Sequence, residues 1–293
     1  MDFKVTICVY FNIPPSIARL VHSNHDVDVR IAPQLMTTMD VLCAMMECEI
    51  THSFRDYLSN DDCISDNDHE DGSSHKLTAE DREQIVDWRY SVVDVLQLAR
   101  SNVAVAMSIA DRFMSNPNRL LVCQFTPSLF SPQEIMYDRT MFQLLAVSAL
   151  YIAIKINEQV IFSVEQCAKA THGMYTVKDI EAMERAILEC LSWKVSGPTA
   201  LEVGYIVLEL ATPHVQDVSE LNNELMGSIV EDLAFQTESA VWDYHLATQR
   251  TSTIAIMALI NAIKHNEKMS KTVRQHYMNA LLNVLEQCKT RNL

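Results

Sequence analysis

Apolar positions recur every three or four residues in block after block of this chain, the spacing that lays one face of a helix against a core. Leu42, Met45, Met46, Ile50 and Phe54 describe an amphipathic helix over 38–58, with Asp40 in its first turn. Thr78, followed three residues later by Asp81, predicts the N-cap of a helix whose inner face reads Ile85, Trp88, Val92, Val93 and Leu96. Ser101 predicts the cap of the next, with Val103, Ala106, Met107, Ala110 and Met114 inward and Pro117 as its stop. A helix over about 134–157 is apolar on nearly every face between Leu144 and Ile154, which predicts the surrounded centre of a bundle. Ser163 caps a short helix reaching Gly173, and another begins after Thr176 and runs through Trp193.

Past Ser196-Gly197-Pro198 the pattern starts again, with helices predicted over about 199–211, 218–239, 249–265 and 270–288. The order of elements recurs without strong residue-level similarity, so two helical domains joined at this break are the simplest architecture. Residues 1–37 hold Pro14, Pro15 and Pro33 and no sustained period, and read as a disordered lead-in; their His22 and His25 lack the further ligands a metal site needs. Residues 59–76 are acidic and Ser-rich, and read as a flexible loop. The alternation Asp66, Asp68, Glu70 in that loop imitates a calcium site, but its glycine is misplaced and the closing Glu is missing.

Composition narrows the picture to an all-α class. Five glycines in 293 residues leave little material for phosphate-cradling loops or tight hairpins. A net charge of −15, from 23 basic against 38 acidic residues, argues against a nucleic-acid or anionic-membrane footprint. Eight cysteines fall singly with no C-x-x-C pair, as reduced thiols do in an intracellular protein. The longest apolar run, Leu144 to Ile154, falls short of the roughly 20 residues of a membrane span. No motif calls for a metal or cofactor, and no catalytic constellation is visible: H-E-x-x-H is absent and His172, His245 and His265 stand alone.

Two charges then stand out inside apolar helical text, Lys155 in FQLLAVSALYIAIKINE and Glu184 in MERAILECLSWKV. A charge in such a setting is costly unless paired, so it marks either a buried ion pair or a contact surface. Arg82 and Asp111, the latter in ADRFMS, are a second set of charges with apolar neighbours, suited to a bidentate pair between two helices.

Together Arg82, Asp111, Leu144, Lys155 and Glu184, with Ile85–Trp88 and the stretch from Met183 to Thr199, resemble the cyclin box over about 80–198. The resemblance implies an all-α cyclin fold of two bundle domains with about five helices each, over 77–197 and 198–293, preceded by the helix at 38–58. It implies a regulator rather than an enzyme: a subunit that binds and activates a cyclin-dependent serine/threonine kinase in the cell cycle, in nucleus or cytoplasm. Lys155 and Glu184 would face the kinase, with Ile156, Ile187 and Leu188 as apolar contacts. The other reading of Lys155 and Glu184 is a mutual pair that only braces two helices. Arg82 and Asp111 would form a structural pair, and Leu144 and Trp88 would belong to the core.

Many cyclins carry an apolar patch at the start of the first box helix that docks Arg-x-Leu peptides of substrates and inhibitors. Here Asp81 and Gln84 replace apolar members beside Ile85, while Gln143 and Trp88 are kept, so the patch reads as degenerate. Rivals from other classes are a cyclin-fold transcription adaptor, disfavoured by the acidic charge, and an all-α enzyme, disfavoured by the absence of a ligand or nucleophile motif.

Overall fold

The computed structural model describes residues 31–59, 76–116, 130–159, 162–215 and 223–291. His22, His25, the Asp66–Glu70 alternation and nearly all of the acidic loop lie outside the described residues. Among the described residues the structure is helical, with no strand. The chain forms two compact units, one of residues 52–197 with 241–248, the other of residues up to 51 with 198–240 and 249–293.

The first unit holds α2 (Ala79–Val95), α3 (Ser101–Met114), α4 (Pro132–Ile135), α5 (Arg139–Asn157), α6 (Val164–Ala170) and α7 (Val177–Cys190), numbered after α1 of the other unit. Thr78 accepts from the Asp81 N–H while Asp81 reaches back to the Thr78 N–H, a capping box that fixes where α2 starts. From there Arg82, Ile85, Val86, Arg89, Tyr90 and Val93 form one buried stripe at helical spacing. Every residue from Leu144 to Ile154 is buried, so α5 is the surrounded helix that its all-round apolar character predicts. It is also apolar enough to match a membrane span in length, 19 residues at mean hydropathy 1.4, but two thirds of it is covered by protein. Capping boxes at Ser163 and Thr176 start α6 and α7.

Several boundaries differ from the sequence reading. The helix expected over 134–157 is broken into α4 and α5, because the Asp138 carboxylate caps the N–H groups of Thr140 and Met141 and restarts the helix there. Ser101 is the first helical residue rather than a cap; Arg100 precedes it and makes no side-chain cap bond. α7 stops at Cys190 instead of running through Trp193, since Ser192 and Trp193 sit in the left-handed region at φ 51° and 64°. Arg112 secures that turn by donating to the carbonyls of Lys194 (2.7 Å) and Val195 (3.3 Å). A Cβ on Gly197 would come within 2.7 Å of the His52 ring, so this close approach requires glycine.

The second unit holds α1 (Ile31–His52), α8 (Ala200–Ala211), most of α9 (Asn223–Trp242), α11 (Thr251–His265) and α12 (Lys271–Arg291); the short α10 (Tyr244–Ala247) lies in the first. Leu210, Ile229, Leu233, Leu259, Ile263 and Tyr277 are among the residues that fill its core. α1 differs from the helix expected at 38–58: it begins at Ile31, inside the stretch read as disordered, and ends at His52. It is also no separate preface. Met39 and Leu42 join the core of this unit, and the buried Glu49 carboxylate accepts from both the N–H and the hydroxyl of Ser252, each at 2.8 Å. Glu49 thereby caps the first turn of α11 from another helix, beside the positive end of its dipole.

Candidate functional site

Three charged clusters in the 52–197 unit carry the residues singled out from the sequence. The first is sealed inside. Arg82 on α2 makes a bidentate pair with Asp111 on α3, Nε to Oδ1 at 3.1 Å and Nη2 to Oδ2 at 2.9 Å, with the two side chains 1% and 2% exposed. The Tyr57 hydroxyl adds a third donor to Asp111 at 2.8 Å, and Arg82 Nη1 donates to the Val241 carbonyl at 2.7 Å. Burial works against the Arg82 charge, but the Asp111 carboxylate outweighs it and holds the guanidinium above its ordinary pKa. Burial, and then the neighbouring Asp111 charge, keep the Tyr57 hydroxyl protonated well above its usual range. The expected structural pair therefore forms, and it additionally anchors the 241–248 segment, something that no local pattern announces.

The second cluster is at the surface. α5 leaves the core after Ile154, and Lys155 in its last turn sits where a helix dipole favours a cation. α7 runs beside it with Ile180, Met183, Ile187 and Cys190 buried in one stripe. Lys155 Nζ donates to Glu184 Oε1 at 2.6 Å, with side chains 45% and 15% exposed, and lies 4.8 Å over the Tyr151 ring. Partial burial lowers the Lys155 pKa, but the bond to Glu184 and its charge raise it further, so the net shift is upward. The mutual pair weighed as the second reading of these residues is thus present. The three apolar neighbours divide: Ile156 is exposed, Leu188 is partly buried, and Ile187 is fully buried. Ile187 is accordingly core rather than contact surface, because it falls on the inward stripe of α7. Trp193, read from the sequence only as the end of a helix, stands 72% exposed on the left-handed turn that ends α7.

The third cluster is a groove of about 470 Å³ whose lining includes Asp81, Gln84, Ile85 and Gln143, the four residues assigned to the degenerate patch, together with Trp88. Asp81 is not a loose carboxylate there. One oxygen holds the Thr78 N–H and hydroxyl at 2.9 Å each, the other meets Arg139 Nη2 at 3.0 Å, and the residue is 9% exposed. Burial raises the Asp81 pKa, but the Thr78 bonds and Arg139 outweigh it and leave the carboxyl lowered. Leu144 is buried in the core as expected, while Trp88 packs against that core and also lines the groove. Among the described residues no three His, Cys, Asp or Glu side chains converge as metal ligands would.

The sequence description "Cyclin, N-terminal domain" matches residues 49–196, half of the chain. The chain belongs to the cyclin family. Identity to known cyclins is modest: 26% with mouse G1/S-specific cyclin-E1 over 145 residues, 50% of this chain and 31% of that one. Arabidopsis thaliana Cyclin-A1-2 is 22% identical over 250 residues, 84% of this chain and 50% of its own, and G2/mitotic-specific cyclin-B2 of Oryzias latipes is 27% identical over 188 residues, 63% and 40%. The matches thus span about a third to a half of the length of these cyclins. A viral cyclin from herpesvirus saimiri aligns with 73% of this chain and 87% of its own at 16% identity and TM-score 0.47, a likeness too low to decide any detail.

Proposed function

We propose that this cyclin is the regulatory subunit of a cyclin-dependent serine/threonine protein kinase, which it binds and activates within the cell to control the cell cycle. The observation that carries the reading is the Lys155–Glu184 pair, presented at the surface inside the matched cyclin segment. A polar anchor beside the exposed Ile156 has the composition of a recognition site, apolar area next to a few directed hydrogen bonds. The bond between Lys155 and Glu184 does not exhaust them, since an ammonium has three donors and a carboxylate two oxygens. Both can bond the kinase backbone beside its regulatory helix.

The cyclin then acts as a rigid surface. It presses that helix inward, completes the kinase's own Lys–Glu ion pair and opens the activation loop. No residue of the cyclin takes part in phosphotransfer. Trp193, held on an anchored turn at the end of α7, is a further apolar candidate for the contact. The groove is the counterpart of the peptide-docking patch, and Arg-x-Leu peptides are poorly held there. Co-purification from the source cell, with the bound kinase identified and its phosphotransfer rate measured with and without the cyclin, tests the reading. Binding that leaves every candidate kinase's rate flat overturns activation.

A further inference from the structure

The groove on α2 and α5 has a charge layout that a count of its residues does not convey. Among the described residues its single lining carboxylate, Asp81, is already engaged on both oxygens by Thr78 and Arg139, and is 9% exposed. It has little left to offer an incoming cation. Arg139 is its opposite: at the first position of α5 its side chain is 57% exposed and uses one guanidinium nitrogen on Asp81, so the rest of its donor fork faces outward. Around it Ile85, Trp88 and Met174 supply apolar lining, Met174 being 62% exposed, and the exposed Gln143 adds an amide.

We propose that the groove binds a peptide with an apolar anchor beside acidic residues, whose carboxylate pairs with Arg139, and that it discriminates against Arg-x-Leu peptides. The inference rests on the reading of this groove as a peptide-docking site. A planar fork suits a carboxylate bidentately, whereas an arginine brought to the same place would face a guanidinium and a spent carboxylate. The net charge of −15 opposes an acidic peptide at long range. That field is screened beyond about 8 Å at physiological salt, so the contact with Arg139 decides the preference.

The test is fluorescence anisotropy on the full chain at physiological salt, with a short labelled peptide carrying Leu-Phe next to two glutamates and a counterpart with arginines in their place. The glutamate peptide binds tighter, by at least about tenfold, the worth of one charged hydrogen bond. Arg139→Gln removes that advantage, and Gln143→Glu, at an exposed position of the same groove, weakens the glutamate peptide without touching the Asp81 capping box. Equal or tighter binding of the arginine peptide, no binding of either, or an Arg139→Gln variant that keeps the full preference overturns the proposal. Kinase capture by the same preparation is scored separately. Its failure alone removes the kinase reading and leaves the groove's specificity standing.

Discussion

The 52–197 unit contains two ion pairs whose partners stand the same 29 positions apart in sequence, Arg82 with Asp111 and Lys155 with Glu184, and the two have opposite physical character. The first joins α2 to α3 with both side chains sealed, and every strong acceptor and donor around it is satisfied by protein: Tyr57 on the acid, the Val241 carbonyl on the base. The second joins α5 to α7 at the surface, through one bond, with the lysine nearly half exposed. Identical chemistry is sealed from water in one place and open to it in the other. Desolvation makes the difference: once two charges are buried, losing either strands its partner, whereas water takes over for a lost partner at the surface. The Asp81–Arg139 pair lies between the two, with a shielded acid and an exposed base.

Truncating the acid of each pair breaks the comparison in order of burial. Asp111→Ala has the largest expected effect, a loss of about 3–5 kcal/mol in denaturant-melt stability, because Arg82 is left as an unpaired buried cation. Asp81→Ala is expected to cost about 0.5–2 kcal/mol, mainly through the lost capping box at the start of α2. It also frees Arg139, so the glutamate peptide should bind this variant at least as well as the unmodified chain.

Glu184→Ala is expected to change stability by no more than about 1 kcal/mol, since exposed pairs contribute little. Kinase capture in a pull-down should nevertheless be lost. If the melt shifts as far as it does for Asp111→Ala, the Lys155–Glu184 pair is a brace and the contact reading fails.

Arg89 sharpens the contrast from the other side. It is fully buried two turns along α2 from Arg82, yet among the described residues it meets no carboxylate; it donates to the Ala146 carbonyl and to the Met107 sulfur. Burial presses its guanidinium down to about 9, with the more distant Asp111 opposing the shift. The guanidinium stays a cation all the same, held by the donor bonds it makes to Ala146 and Met107. Arg89→Met should keep the fold to within about 1 kcal/mol at neutral pH, as volume-conserving replacements of buried charge do.

Local periodicity was enough to place the buried stripe of α2, the enclosed α5 and the capped starts at Thr78, Ser163 and Thr176. Helical faces and capping boxes are set within about four residues of chain. The same locality explains why Arg82, Asp111, Lys155 and Glu184 were legible: charges at apolar helical positions are conspicuous wherever the partners lie. Which pair is buried was not legible, because exposure depends on what other segments cover. Tyr57 and residues 241–248 close over Arg82 and Asp111, while the Lys155 side chain is left 45% exposed among the described residues.

Burial of Ile187 beside an exposed Ile156 depended on the rotation of α7 against α5, and a hydrophobic residue reads alike in both roles. The placement of α1 in the unit formed by residues beyond 198 was equally out of reach, resting on contacts such as Glu49 with Ser252, 203 positions away. The sequence by itself determined the helical faces, the caps at Thr78, Ser163 and Thr176, and the charged residues that would have to be satisfied. Tertiary structure alone decided which charges were buried and which stayed available, because the desolvation that separates those outcomes comes from segments far along the chain.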